Sequence, residues 1–166
     1  MTDRKVRVAI TLVGDIQRMP DARVKYGALI DTLACRFEVV GIFDASLRGW
    51  PRYWNGLCTY RPSLAVWKEH FFKNVPAFEA RSRQVGRRLA KLKPRADVIL
   101  QIGALFNSNW DGNSPPLVIY TDNTTRITSR RPDGGRLALS QPELERWLMR
   151  EQNLYRGASH IAVRAK

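Results

Sequence analysis

Asp97-Val-Ile-Leu-Gln-Ile-Gly103 and Pro116-Leu-Val-Ile-Tyr-Thr-Asp122-Asn-Thr-Thr125 decide the fold. Each holds a short, β-branched apolar run that breaks into Gly or small polar residues. That is the pattern of a strand buried on both faces of a sheet. In open α/β sheets the ligand crevice lies outside the carboxyl ends of the strands, where the strand order reverses. Asp122 is therefore expected at the lip of a cleft, with Gly103 leaving room beside it.

Moving towards the N-terminus, residues 6–13 read as a first strand that ends on Gly14-Asp15. A helix is expected over residues 24–37, with Val24, Ala28, Leu29, Leu33 and Phe37 on one face. Residues 38–44 form a second strand, which completes a βαβ unit. The character changes at residues 45–62, where Trp50, Tyr53, Trp54 and Tyr60 alternate with Arg48, Arg52 and Arg61. Prolines and glycines break any period there. The segment reads as an irregular loop whose aromatics pack onto the sheet; the alternative is a mobile lid that stacks on a sugar or lipid. Ser63 is placed to cap a short helix through Trp67 and Phe71. Pro76 opens a longer one with an apolar seam of Phe78, Ser82, Val85, Leu89 and Leu92. Its other faces carry Arg81, Arg83, Arg87, Arg88, Lys91 and Lys93, with no acid between Arg81 and Arg95. This bias suits an anion-binding or membrane-facing surface, and equally a plain solvated face.

Towards the C-terminus, residues 126–139 read as a basic loop. Ser140-Gln-Pro-Glu143 is a capping box, in which side chain and backbone satisfy each other's free donors. The helix it opens is expected to bury Leu144, Trp147, Leu148, Leu154 and Tyr155 and to stop at Gly157. Residues 160–163 form a last strand. A parallel-sheet domain that ends as a strand reaches the ligand edge raises the expectation that a further domain follows.

Composition narrows the function classes. An apolar fraction of 44% with five Trp indicates a folded chain, and 166 residues suffice for one core. The formal net charge of +13 calls for an anionic partner: nucleic acid, anionic lipid or a phosphorylated substrate. Cys35 and Cys58 lack metal-ligand spacing and read as free thiols of a reducing cytoplasm. Gly14 is followed by Asp-Ile-Gln-Arg, so the three-glycine dinucleotide fingerprint is missing, as is a P-loop. His70 and His160 have no evident ligand partners, and no cofactor or metal is expected. No helix-turn-helix or aromatic RNA-binding signature accompanies the charge.

Taken together, Val8-Ala-Ile-Thr-Leu-Val-Gly14, Tyr26-Gly-Ala-Leu-Ile-Asp-Thr-Leu33 with Phe37-Glu-Val-Val-Gly41, Ala96-Asp-Val-Ile-Leu-Gln101 and Val118-Ile-Tyr-Thr-Asp122 resemble a known family. They are similar to the N-terminal domain of bacterial glycosyltransferases of the two-domain GT-B architecture, family 4-like. The resemblance implies a single Rossmann-like, three-layer α/β domain with a mainly parallel sheet, the N-terminal half of a GT-B fold. It also implies a retaining transfer of sugar from a nucleotide-sugar donor to a sugar or lipid-linked acceptor. In that family this half receives the acceptor, while the donor is held by a C-terminal domain, here missing. The isolated chain is then expected to be inactive, in the cytoplasm or at the inner face of the membrane. Gly14 matches the family's glycine loop and Asp122 its polar residue after the later strand. Asp122 is the expected catalytic side chain, with Gly14, Asp15, Gly103, Thr121, Asn123 and Thr124 around the acceptor. Asp122 capping the following turn is the competing reading. Arg83, Arg87, Arg88 and Lys91 are the expected membrane or anion contacts. A non-catalytic basic module for anionic membrane, a partner subunit or nucleic acid is the alternative function.

Overall fold

In the computed structural model, which describes residues 4–122, 124–130 and 139–163, five strands form one wholly parallel sheet. β1 (Arg7–Leu12), β2 (Glu38–Asp44), β3 (Val98–Ile102), β4 (Leu117–Thr121) and β5 (His160–Val163) lie in the order β2-β1-β3-β4-β5. Between them run α1 (Pro20–Arg36), α2 (Trp50–Cys58), α3 (Leu64–Phe72), α4 (Val75–Ala90), α5 (Thr125–Ser129) and α6 (Gln141–Arg156). This is one of the two common doubly wound orders, and it puts the switch point between β1 and β3. The Rossmann-like α/β class read from the strands is what the chain adopts.

Side-chain alternation along the strands sorts the helices into two outer layers. Val8, Ile10, Leu12 and Ile102 pack with Ile30 and Leu33 of α1. Ala9, Ile99, Leu117 and Ile119 pack with Phe78 of α4 and with Trp147 and Leu154 of α6. The Phe78 and Trp147 rings meet edge to face, 5.8 Å apart, and both residues are buried. Each such buried side chain contributes roughly 1.5–3 kcal/mol of hydrophobic stabilisation.

One irregularity in β2 positions a site residue. Val8 pairs with Val39 and Ala9 with Gly41, so Val40 is an extra residue in the ladder. A one-residue slip turns every later side chain to the other face. Beyond it Phe43 packs in the α4–α6 layer, and Asp44, opposite Leu12, reaches the Gly14 amide. A Cβ at Gly41 would come within 2.8 Å of the Phe43 ring, so any larger residue there has to push that ring aside.

Several helices differ from expectation. α1 starts at Pro20, and Val24 (86% exposed) and Ala28 face solvent. Its packed stripe runs through Tyr26, Leu29, Ile30 and Leu33. Two stripes of helical spacing share Leu29 and Leu33, and the one with Tyr26 and Ile30 buries more apolar area. Residues 50–58 form α2 instead of an irregular loop, because Pro51 sits in the first turn, where its missing N–H is harmless. The aromatics do not pack down: Trp50, Tyr53 and Trp54 are 73%, 73% and 55% exposed.

Ser63 stands at the N-cap of α3 but makes no side-chain capping bond. Asn74 caps α4, accepting from the Ala77 amide at 2.8 Å. Arg81 leaves the solvent face expected for it and lies buried, 1% exposed. The capping box at Ser140 and Glu143 forms as read, and Trp147 and Leu154 are fully buried in α6. Leu144, Leu148 and Tyr155 of the same helix are half-buried. The start of the expected basic loop folds as α5, and residues 131–138 lie outside the described ones. Cys35 and Cys58 are free and exposed. Among the described residues no helix is long and apolar enough to cross a membrane.

Candidate functional site

The carboxyl ends of the strands form a row: Gly14 and Asp15 after β1, Asp44 closing β2, Gly103 after β3, and Thr121 and Asp122 at the end of β4. Gly14 (φ +119°) and Gly103 (φ +83°) both take backbone conformations that L side chains rarely adopt, so each strand can turn sharply there. The row divides into two halves of different construction.

On the β3–β4 side, Lys25 and Tyr26 of α1 join Gly103, Thr121 and Asp122 around a cavity of about 40 Å³, which is room for a few waters. Asp122 meets Lys25 at 3.4 Å, and both side chains are about half exposed. Contact with the Tyr26 hydroxyl raises the Lys25 ammonium above its ordinary pKa; Asp122 adds to this and burial opposes it. Of the expected acceptor residues, Gly103 and Thr121 are thus gathered beside Asp122. Thr124 instead caps α5, accepting from the Ile127 amide at 3.3 Å. Asn123 lies outside the described residues.

Behind this half stands Glu151 of α6, a buried carboxylate invisible in the sequence because a Glu in a helix reads as solvated. It accepts the Thr125 amide at 3.1 Å and the Tyr155 hydroxyl at 3.2 Å, and burial raises its pKa. Trp147 completes the cluster by donating its indole N–H to the Thr125 hydroxyl at 3.0 Å. The group ties α5 to α6.

The β1–β2 side is built around carboxylates and arginines. Asp44 accepts the amides of Gly14 (3.0 Å) and Ser46 (2.8 Å) and the guanidinium of Arg48 (2.9 Å). Burial pulls this carboxyl upward, but the hydrogen bonds from Ser46, Arg48 and Gly14 outweigh it, so its pKa lies below the ordinary value. Asp15 folds onto its own loop, accepting the amides of Gln17 and Arg18, and meets Arg48 at 3.3 Å. The expected pair Gly14–Asp15 therefore belongs here, away from Asp122.

Beside this network a cleft of about 400 Å³ opens, lined by Asp15, Arg18, Asp44, Arg48, Arg52 and Arg81 with Phe71, Phe72 and Leu47. Arg81 donates to the carbonyls of Phe72 (2.8 Å) and Phe71 (3.4 Å), which closes the C-terminal end of α3. Burial lowers its pKa to about 10, so it stays charged at neutral pH. The adjoining carbonyls of His70 and Phe71 take the amide groups of Asn74 and Asn55. This polar packing pins α2, α3 and α4 to one another. A second, smaller cleft of about 250 Å³ shares Asp15, Asp44 and Arg48 and adds Arg23 and Arg88.

The basic side chains of α4 are divided by this arrangement. Arg88 donates to the Asp44 carbonyl at 2.9 Å, and Arg83 meets Glu79 at 2.9 Å. Arg87 and Lys91 stay exposed. Sequence reasoning also missed the stripe Trp50, Tyr53, Trp54 and Leu57, which has core-helix spacing yet faces solvent. The two indoles stack on each other, 6.2 Å apart. Arg52, on the same helix, reaches the large cleft.

Fold and edge together define a doubly wound α/β domain with an arginine-lined cleft and an aromatic helix beside it. No protein-family model, no curated protein and no solved structure matches the chain. The likeness to GT-B transferases therefore stands on the residues that carry it.

Proposed function

We propose that this domain is the acceptor-binding half of a retaining glycosyltransferase, which meets a lipid-linked acceptor at an anionic membrane surface. The observation that carries the reading is the solvent-facing stripe of α2, standing next to a cationic cleft at the ligand edge of the sheet. Indole and phenol rings settle at the headgroup level of a bilayer, and arginines beside them attract anionic lipid. Such a helix can seat the domain on lipid while the edge of the sheet takes the polar part of an acceptor. From β2 to β4 is three strand spacings, about 14 Å, a length that an extended amphipathic ligand can cover. At the far end Asp122 is exposed enough to accept a hydrogen bond from an acceptor hydroxyl. Arg87 of α4 and Lys91 just after it add to the membrane-facing charge; Arg83 and Arg88 are already engaged within the fold.

Flotation with phosphatidylglycerol and phosphatidylcholine vesicles tests this. Binding is expected with the anionic lipid only, and it should weaken steeply with salt. Replacing Trp50 and Trp54 by Ser should lower it at least about tenfold. A preference for oligonucleotides over vesicles would favour the nucleic-acid reading. For the transferase part, nucleotide-sugars should bind this half no tighter than about millimolar, near 4 kcal/mol. Micromolar affinity for a nucleotide-sugar would overturn the acceptor-side assignment.

A further inference from the structure

We propose that the large cleft beside Asp15 and Asp44 is a binding site for a phosphate or diphosphate group, with Arg81 in its wall and Arg52 at its rim. The site goes beyond the transferase reading and stands on the cleft alone.

Charge balance is the first argument. Four arginines, Arg18, Arg48, Arg52 and Arg81, line the cleft against two carboxylates, Asp15 and Asp44. Both carboxylates are already engaged, Asp44 by two amides and Arg48, Asp15 by two amides and Arg48. Arg18 reaches Asp15 only at 3.8 Å. Arg52 and Arg81 have no carboxylate partner among the described residues. The cleft therefore holds more positive charge than its own residues neutralise.

Arg81 is the second argument. It is 1% exposed, and a buried charge without a counter-ion is costly unless something else compensates it. Closing the end of α3 accounts for its two terminal nitrogens, which donate to Phe72 and Phe71. Its Nε is buried with no hydrogen-bond partner. Asn55 and Asn74 donate to the same helix end, and the α3 dipole and the Phe72 ring, 5.6 Å from the guanidinium carbon, offset part of the Arg81 charge. The rest of that charge and the spare N–H suit an anion.

The third argument is shape. A volume of about 400 Å³ falls within the range of small-molecule sites. Guanidinium groups match phosphate oxygens in charge and fork geometry. Met19, Leu47, Phe71 and Phe72 also line the cleft, so the ligand it fits is a phosphate ester with an apolar body.

Calorimetry on the whole chain tests the site, with inorganic pyrophosphate and geranyl diphosphate as probes. Saturable one-to-one binding is expected for both. Tighter binding of the geranyl ester assigns the site to a lipid-like ligand; equal binding assigns it to a free phosphate metabolite. Arg52→Gln removes an exposed side chain and should weaken either probe about tenfold, the worth of one charge-assisted hydrogen bond. Arg81→Lys keeps the charge, loses the fork and should weaken binding further. If that variant does not fold, as judged by circular dichroism, Arg52→Gln decides alone. Arg150→Gln, at a residue paired with Glu79 outside the cleft, should bind as wild type. Non-saturable heats, or affinities left within about twofold by Arg52→Gln, would overturn the site. Vesicle flotation of Arg52→Gln separates the two proposals: lost phosphate binding with retained flotation leaves the membrane reading standing.

Discussion

The two halves of the carboxyl edge follow the same topology and are built on opposite principles. On the β1–β2 side, Asp44 closes its strand with three hydrogen bonds, two of them to backbone amides. On the β3–β4 side, Asp122 closes its strand half exposed, in an ion pair with Lys25. A carboxylate that satisfies several backbone donors is structural, whereas one that faces water is available to a ligand. Position at a ligand edge therefore does not separate the two roles. The count of internal partners does.

The largest effect expected from breaking this contrast lies between the halves, at Gln101. It is buried in β3, donates to the carbonyls of Gly103 and Phe106, and accepts the Ser108 amide. Thr11 and Ser108 join their hydroxyls beside it at 2.8 Å. Gln101→Leu keeps the volume but strands three backbone groups, and should cost about 3 kcal/mol or more in urea unfolding. A loss below about 1 kcal/mol would mean that the connector after β3 re-forms its bonds without Gln101.

Asp44→Ala comes next. It frees the Gly14 and Ser46 amides and Arg48, for an expected loss of about 2 kcal/mol. Acid titration sharpens the same point. The folded-state pKa of Asp44 is lowered, and that of Asp97, hydrogen-bonded to Arg7, is lowered to about 2. Such groups contribute fully above the unfolded pKa and lose their contribution as pH falls through the folded one. Stability should therefore drop below about pH 4. Asp44→Asn should be weaker than wild type at neutral pH and converge with it in acid. Glu151 runs the other way: its raised pKa gives stability when protonated, which is lost as pH rises through the folded value. Parallel acid curves for wild type and Asp44→Asn would contradict the assigned role of Asp44.

The smallest effect belongs to Asp122→Ala, within about 0.5 kcal/mol, because exposed ion pairs contribute little. A loss near that of Asp44→Ala would erase the distinction between the halves and make Asp122 a structural clamp.

The sheet was legible in the sequence because its strands are continuous apolar runs bounded by glycine and polar residues. Residues 97–103 and 116–125 are the clearest case. The capping box at Ser140 and Glu143 was legible because four residues define it locally. α2 was hidden by Pro51, which breaks a helix in its middle but not in its first turn. Arg81 was hidden for a different reason. Its burial depends on the end of α3, nine residues earlier, and only tertiary packing brings the two together. Glu151 is a similar case, since its partner Thr125 lies on another element. Gly103, Thr121 and Asp122 were found together because consecutive strands of a parallel sheet end side by side. Gly14 and Asp15 went to the other half, as the bulge at Val40 and the reach of Arg48 leave no trace in local pattern.

β5 has consequences for motion. Its four residues are exposed, and it pairs with β4 alone among the described strands. β1 lies between β2 and β3, with Ala9 and Ile10 fully buried on opposite faces. Local opening is easiest where few apolar contacts resist it, so amide hydrogens should exchange fastest in β5 and slowest in β1. The ligand edge then behaves as a fixed anvil at Gly14, which follows β1, and a more compliant arm towards β5. A ligand that spans both would slow exchange in β4 and β5 while leaving β1 unchanged, and would mark its own footprint in the exchange rates.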